Sequence, residues 1–154
     1  MRLGEALALR ADLTRQLDGL RDRARNAARH QQGEDPPEDP VALLAEADWV
    51  ADRLEQLIRQ INRTNIQVRV QGDTTLTDLL AERDVLAMRR RLLDDVAHAA
   101  VERSDRSWGR AELRFTSAID VPALRARLDA LAAEHRRLDT RIQALNWAED
   151  LLEQ

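Results

Sequence analysis

The chain has 154 residues, 44% of them apolar, enough to bury one domain-sized core without a disulfide or structural metal. Cys and Tyr are absent, aromatics reach only 3%, and 5 Gly with 4 Pro supply few turns; this excludes disulfide scaffolds, thiolate metal sites and cysteine nucleophiles and argues against an all-β sandwich or barrel. The 28 acids outnumber 24 bases, all of them Arg, and charges interrupt every leucine-rich stretch, so the composition predicts a helical, cytoplasmic protein of net charge −4 with no leader and no membrane span.

Leu3, Ala6, Leu13, Leu17, Leu20, Ala24 and Ala27 recur at helical spacing and predict a first helix over about residues 3–31, interrupted in its apolar stripe by Arg10. Residues 32–40, with one Gly, three Pro and four acids, read as a solvated acidic loop. Asp39 before Pro40 is a helix start, and Leu44, Ala47, Ala51, Leu54, Ile58 and Ile61 carry a second helix over about 41–62. From there the period changes: Ile66, Val68 and Val70 alternate with polar residues until Gly72-Asp73, which predicts a strand over about 66–70. Thr75 with Asp78 opens a third helix over about 76–103 through Leu76, Leu79, Leu86, Leu93, Ala97 and Ala100, with Arg83 and Arg90 in its seam. A second strand-like stretch covers about 113–119. Asp120 then caps a fourth helix over about 121–153, in which Leu124, Leu131, Leu138, Leu145 and Leu152 hold one heptad position and Val121, Leu128, His135, Ile142 and Glu149 the other.

Four helices with one apolar stripe each can bury those stripes only against one another, so the expected architecture is all-α: a single domain over 1–154, a long four-helix bundle with a small two-stranded β element contributed by the connections between helices 2/3 and 3/4. In an up-down bundle those connections lie at opposite ends of a helix of about 42 Å, at about 1.5 Å per residue. The two strands therefore meet only if the chain runs back along the bundle or if another subunit supplies the partner. Either route favours a homo-oligomer, because an isolated ribbon is marginal and leaves open edges.

Several stretches, in this order, resemble a family of small bacterial helical proteins labelled septicolysin-like: Met1-Arg2-Leu3-Gly4-Glu5-Ala6-Leu7, Ile61-Asn62-Arg63-Thr64-Asn65, Leu76-Thr77-Asp78 with Arg83-Asp84, Arg110-Ala111-Glu112-Leu113-Arg114-Phe115 and Asn146-Trp147. The resemblance covers nearly the whole chain and implies an all-helical protein with a small strand element and no established activity. Its label evokes cholesterol-dependent cytolysins. Those resemble one another in a Cys-containing, Trp-rich membrane loop, whereas here Cys is absent and Trp49, Trp108 and Trp147 are far apart.

Unpaired guanidinium groups in an apolar seam are costly, so Arg10, Arg83 and Arg90 imply nearby carboxylates, with Glu5, Asp84, Asp94 and the seam residue Glu149 as candidates. Together with His135, the residues Arg10, Arg83, Asp84, Arg90 and Glu149 form a candidate polar seam of the kind that fixes register or oligomer state. Arg110 and Glu112, with Asn65 and Trp147, form a candidate cluster at the strand ends, read chiefly as interlocking structure because no nucleophile or base stands with them. Asp94, Asp95 and Glu102 flank His98, but no Glu-x-x-His pair is present and a surface ladder explains them better than a metal site. Arg89-Arg90-Arg91 and Arg136-Arg137 are embedded in acids, which argues against nucleic-acid binding. The sequence thus predicts a non-enzymatic, self-associating helical protein without cofactor; the alternatives are a membrane-active protein, as the family label suggests, and a ligand- or metal-binding bundle.

Overall fold

A computed structural model describes residues 1–101 and 116–153. The described residues form four long helices, α1 (Leu3–Ala27), α2 (Pro40–Gln67), α3 (Leu76–Val101) and α4 (Val121–Ala148), and one antiparallel two-stranded sheet, β1 (Arg69–Gln71) and β2 (Thr74–Thr75). The fold is therefore all-α with a small β element. The chain divides into two compact units, Met1–Leu76 with Gln143–Gln154, and Thr77–Ile142.

In the first unit α1 and α2 pack as an antiparallel hairpin. Each buries one line at heptad spacing: Ala6, Leu13, Leu20 and Ala27 on α1, and Leu43, Val50, Leu57 and Thr64 on α2, with Leu3 and Ile61 completing the seam. The sequence reading placed the α2 seam on Leu44, Ala47, Ala51, Leu54, Ile58 and Ile61; Ile61 is buried and Ala47, Ala51 and Leu54 are half-buried, while the line through Leu44 and Ile58 gives way to Leu43, Val50 and Leu57. Leu44 and Ile58 are 57% and 37% exposed. Two adjacent heptad lines of α2 are apolar and α1 is wide enough to cover only one. The Asp39 carboxylate caps α2 by accepting from the Val41 and Ala42 amides at 2.9 and 3.4 Å, with Pro40 in the first helical position.

The predicted strand at 66–70 is corrected: α2 continues to Gln67, and the strand begins at Arg69. Among the described residues its partner is the chain immediately following, with Arg69 opposite Thr75 and Gln71 opposite Thr74. Gly72, at φ +57°, takes the left-handed conformation that lets the chain reverse at Gly72-Asp73, and the Arg69 guanidinium donates to the Asp73 carbonyl at 2.7 Å. Of the second predicted strand, residues 113–115 lie outside the described residues and 116–119 are not extended pairs.

In the second unit α3 buries Leu79, Leu86 and Ala97, and α4 buries Leu138 and Ile142. Asp120 caps α4 through the Ala123 amide at 3.0 Å, as its sequence position predicts. Besides the end of α2, two helix ends differ from expectation. α1 stops at Ala27, ahead of the Pro-rich loop, and α4 stops at Ala148, so Glu149 and Leu152 belong to an extended tail and not to the heptad line.

Candidate functional site

The densest set of specific contacts in the first unit lies where both ends of the chain meet the C-terminal part of α2. Its bonds follow from the helix-end requirement that orphan backbone groups find partners. At the start of α1, the Glu5 carboxylate accepts from the Arg2 amide at 2.8 Å. At the end of α4, the Arg2 guanidinium donates to the Ala148 carbonyl at 2.7 Å and pairs with Asp150 at 3.1 Å. The tail then lies antiparallel to the first residues: the Leu3 amide donates to the Glu149 carbonyl, and the Leu151 amide to the Met1 carbonyl, each at 2.9 Å. This pairing is what draws residues 149–153 out of the helix.

Thr64 fixes the other side of the tail. Its hydroxyl donates to the Gln60 carbonyl at 2.8 Å and accepts from the Leu152 amide at 3.0 Å, while the Gln60 side chain donates to the Glu153 carbonyl at 3.2 Å. Thr64 and Asn146 are buried, as are Leu3, Leu76 and Leu151. Gly4 is required by close approach: a Cβ there would stand 2.9 to 3.1 Å from ring carbons of Trp147. Trp147 covers Gly4 with one part of its indole and leaves 59% of the residue exposed. Beside the tail an open groove of about 290 Å³ runs along α2, lined by mixed charge including Asp52, Glu55, Arg59, Arg63 and Glu153.

The residues that the sequence groups as a polar seam are distributed over the two units. Arg10 is exposed on α1, on the line beside the buried Ala6 and Leu13, between buried Leu3 and half-buried Leu17. Arg83 is half-buried in the second unit, donating to Asp84 at 2.9 and 3.1 Å and facing Asp139 of α4 at 3.9 Å. Arg90 and His135 are half-buried in the same unit, and Glu149 is half-buried in the tail of the first. Of the strand-end cluster, Asn65 and Trp147 both belong to the first unit, and Arg110 and Glu112 lie outside the described residues. His98 lies exposed, its Nδ1 2.8 Å from the Asp94 carbonyl and 3.5 Å from the Asp94 carboxylate; Glu102 is outside the described residues. Among the described residues no group of three or more His, Asp or Glu is placed to hold a metal ion, and no helix is long and apolar enough to cross a membrane.

Sequence reasoning missed the roles of Arg2, Gly4 and Thr64 in fixing the tail. Gly4 was the detectable one: a glycine in the first turn of an otherwise strong helix calls for a packing reason.

Residues 10–151 match the sequence profile of a family of unknown function, DUF6847. The chain belongs to DUF6847. Among proteins with curated descriptions none matches. A crystal structure titled as a functionally unknown conserved protein from Corynebacterium diphtheriae is similar to this DUF6847 chain over 99% of each chain, at 36% identity and a TM-score of 0.92. The fold is thus shared with that bacterial protein.

Proposed function

We propose that this DUF6847 protein is a non-enzymatic, self-associating helical protein of the cytoplasm. The observation that carries the proposal is large apolar side chains left exposed along helices that already bury another face: Leu44 and Ile58 on α2, and Val85, Met88 and Leu92 on α3. A helix apolar on two faces calls for two partners. The non-enzymatic part rests on the sequence, in which no nucleophile is patterned with a base and no phosphate-binding glycine loop occurs. In this reading Arg10, Arg83 with Asp84, Arg90, His135 and Glu149 set register as polar residues among the helix seams, Arg83 and Arg90 standing on the opposite side of α3 from Val85, Met88 and Leu92.

Light scattering on a sizing column across a hundredfold concentration range tests the proposal. A mass that is, or rises toward, a multiple of 17.6 kDa is the expected outcome, and a monomer throughout refutes it. Arg83→Leu and Arg90→Leu test the register role: each is expected to change the native mass while altering monomer stability by no more than about 1 kcal/mol, since both side chains keep solvent contact. An unchanged mass in both removes the arginines from the account.

A second reading, membrane activity, comes from the septicolysin-like resemblance, and the same exposed apolar faces are what favour it. Against it, the polar side of α4 interleaves Arg125, Arg127, Arg136 and Arg137 with Asp129, Glu134 and Asp139 and presents no unbroken cationic face. Leakage of liposomes at micromolar protein would establish membrane activity, and intact liposomes would end it.

A further inference from the structure

We infer that α3 docks antiparallel against α3 of a second copy of this chain, across a two-fold axis at Leu92; the inference rests on the self-association reading and names its surface. Val85, Met88, Leu92, Val96 and Ala99 follow one another at steps of three, four, four and three residues. At about 100° per residue they fall within about 40° of one line along the helix. Between Ala81 and Ala99 no charged residue enters that stripe. Val85, Met88 and Leu92 are 43%, 63% and 62% exposed, while Leu79, Leu86 and Ala97 are buried on a face of α3 roughly 140° away. The stripe on α2 is different, since Asp48 and Glu55 interrupt it between Leu44 and Ile58.

The order of the stripe selects its occupant. The spacing reads the same in both directions from Leu92, so a two-fold operation that reverses the helix lays the stripe on itself. Leu92 then faces Leu92, Met88 comes level with Val96, and Val85 comes level with Ala99, each a larger residue opposite a smaller one. Charge selects the direction. Antiparallel, Asp95 of one copy lies on the same flank as Arg91 of the other, about 3 Å apart along the axis at about 1.5 Å per residue, and the symmetry makes this pairing twice. Parallel, Arg89 of one copy would lie beside Arg91 of the other. Arg89, Arg91 and Asp95 are all exposed in the single chain and free to make this choice.

The chain has no Cys, so a single cysteine reports on one position without background. Leu92→Cys is expected to give a covalent dimer with a short bis-maleimide at concentrations where Asp94→Cys, on another face of α3, gives at least tenfold less. Leu92→Glu is expected to weaken association at least tenfold and, because the position is exposed, to keep the helical circular dichroism of the unaltered chain. An unaltered chain that self-associates, with Leu92→Cys uncoupled and Leu92→Glu unchanged in mass, overturns the α3 surface and leaves self-association standing. A chain monomeric at every concentration overturns both.

Discussion

Gly4 and Thr64 hold the chain ends through opposite properties, the first by having no side chain and the second by having one that both donates and accepts. Gly4→Ala puts a Cβ into the Trp147 ring, so we expect a loss of about 1–3 kcal/mol in urea denaturation, the range for overpacking. The loss should shrink when Trp147→Ala is combined with it, because the two residues share one contact. Thr64→Val keeps the shape but leaves the Leu152 amide without its acceptor. The expected loss is about 1–3 kcal/mol, with faster hydrogen exchange at Leu152 and little change at Leu20 or Val50 in the hairpin seam. Neither role could be read from the sequence, because the partners are 143 and 88 positions away in the chain. A lone glycine in a helical pattern showed only that something approaches.

The helices show how local rules and neighbours share the decision. Asp39 and Asp120 cap where the sequence places them, because a cap bonds amides two or three residues on and needs nothing distant. The acidic loop between α1 and α2 has a tether that sequence does not reveal: Arg23 Nε donates to both Glu38 carboxylate oxygens at 3.1 Å. Hydrogen bonding from Arg23 holds the Glu38 carboxyl below its usual range, and the same bond raises the Arg23 guanidinium. With the folded-state value lowered, the tether is fully present above the ordinary Glu range, about pH 4.3, and is lost as pH falls through the lowered value. NMR titration of the loop amides should therefore show a midpoint below that of an unpaired Glu, and Arg23→Ala should return it to the ordinary range. The strand illustrates the opposite case: alternation at Ile66, Val68 and Val70 signals extended chain, yet the i to i−4 bond from the Val68 amide to Thr64 keeps α2 going two residues into it.

For the whole molecule, the proposed self-association would link stability to concentration. If association buries the α3 stripe only in folded chains, the urea midpoint of the unaltered protein rises with protein concentration by mass action, and that of Leu92→Glu does not. Equal concentration dependence in the two would place the contact elsewhere. The like fold of the Corynebacterium diphtheriae protein offers an independent test ground, since the same titration can be run on a chain of 36% identity.

What the sequence determined by itself is what short-range physics controls: helix content, the caps at Asp39 and Asp120, the break at the Pro-rich loop, and the end of the extended segment at Gly72-Asp73. Heptad spacing also placed the α1 seam: of its predicted residues Leu3, Ala6, Leu13, Leu20 and Ala27 are buried, and Leu17 and Ala24 are half-buried beside them. Tertiary structure decided the rest. On α2 two adjacent lines are equally apolar, and only the width of α1 settles that Leu43, Val50 and Leu57 go inside and Leu44 and Ile58 stay out. At the end of α4, helical periodicity runs on through Glu149 and Leu152, but Arg2, Leu3 and Thr64 offer the tail backbone and side-chain partners that a continuing helix would forgo. Periodicity records which residues are apolar; which of two apolar faces is covered depends on the neighbour, and that is a property of the folded chain.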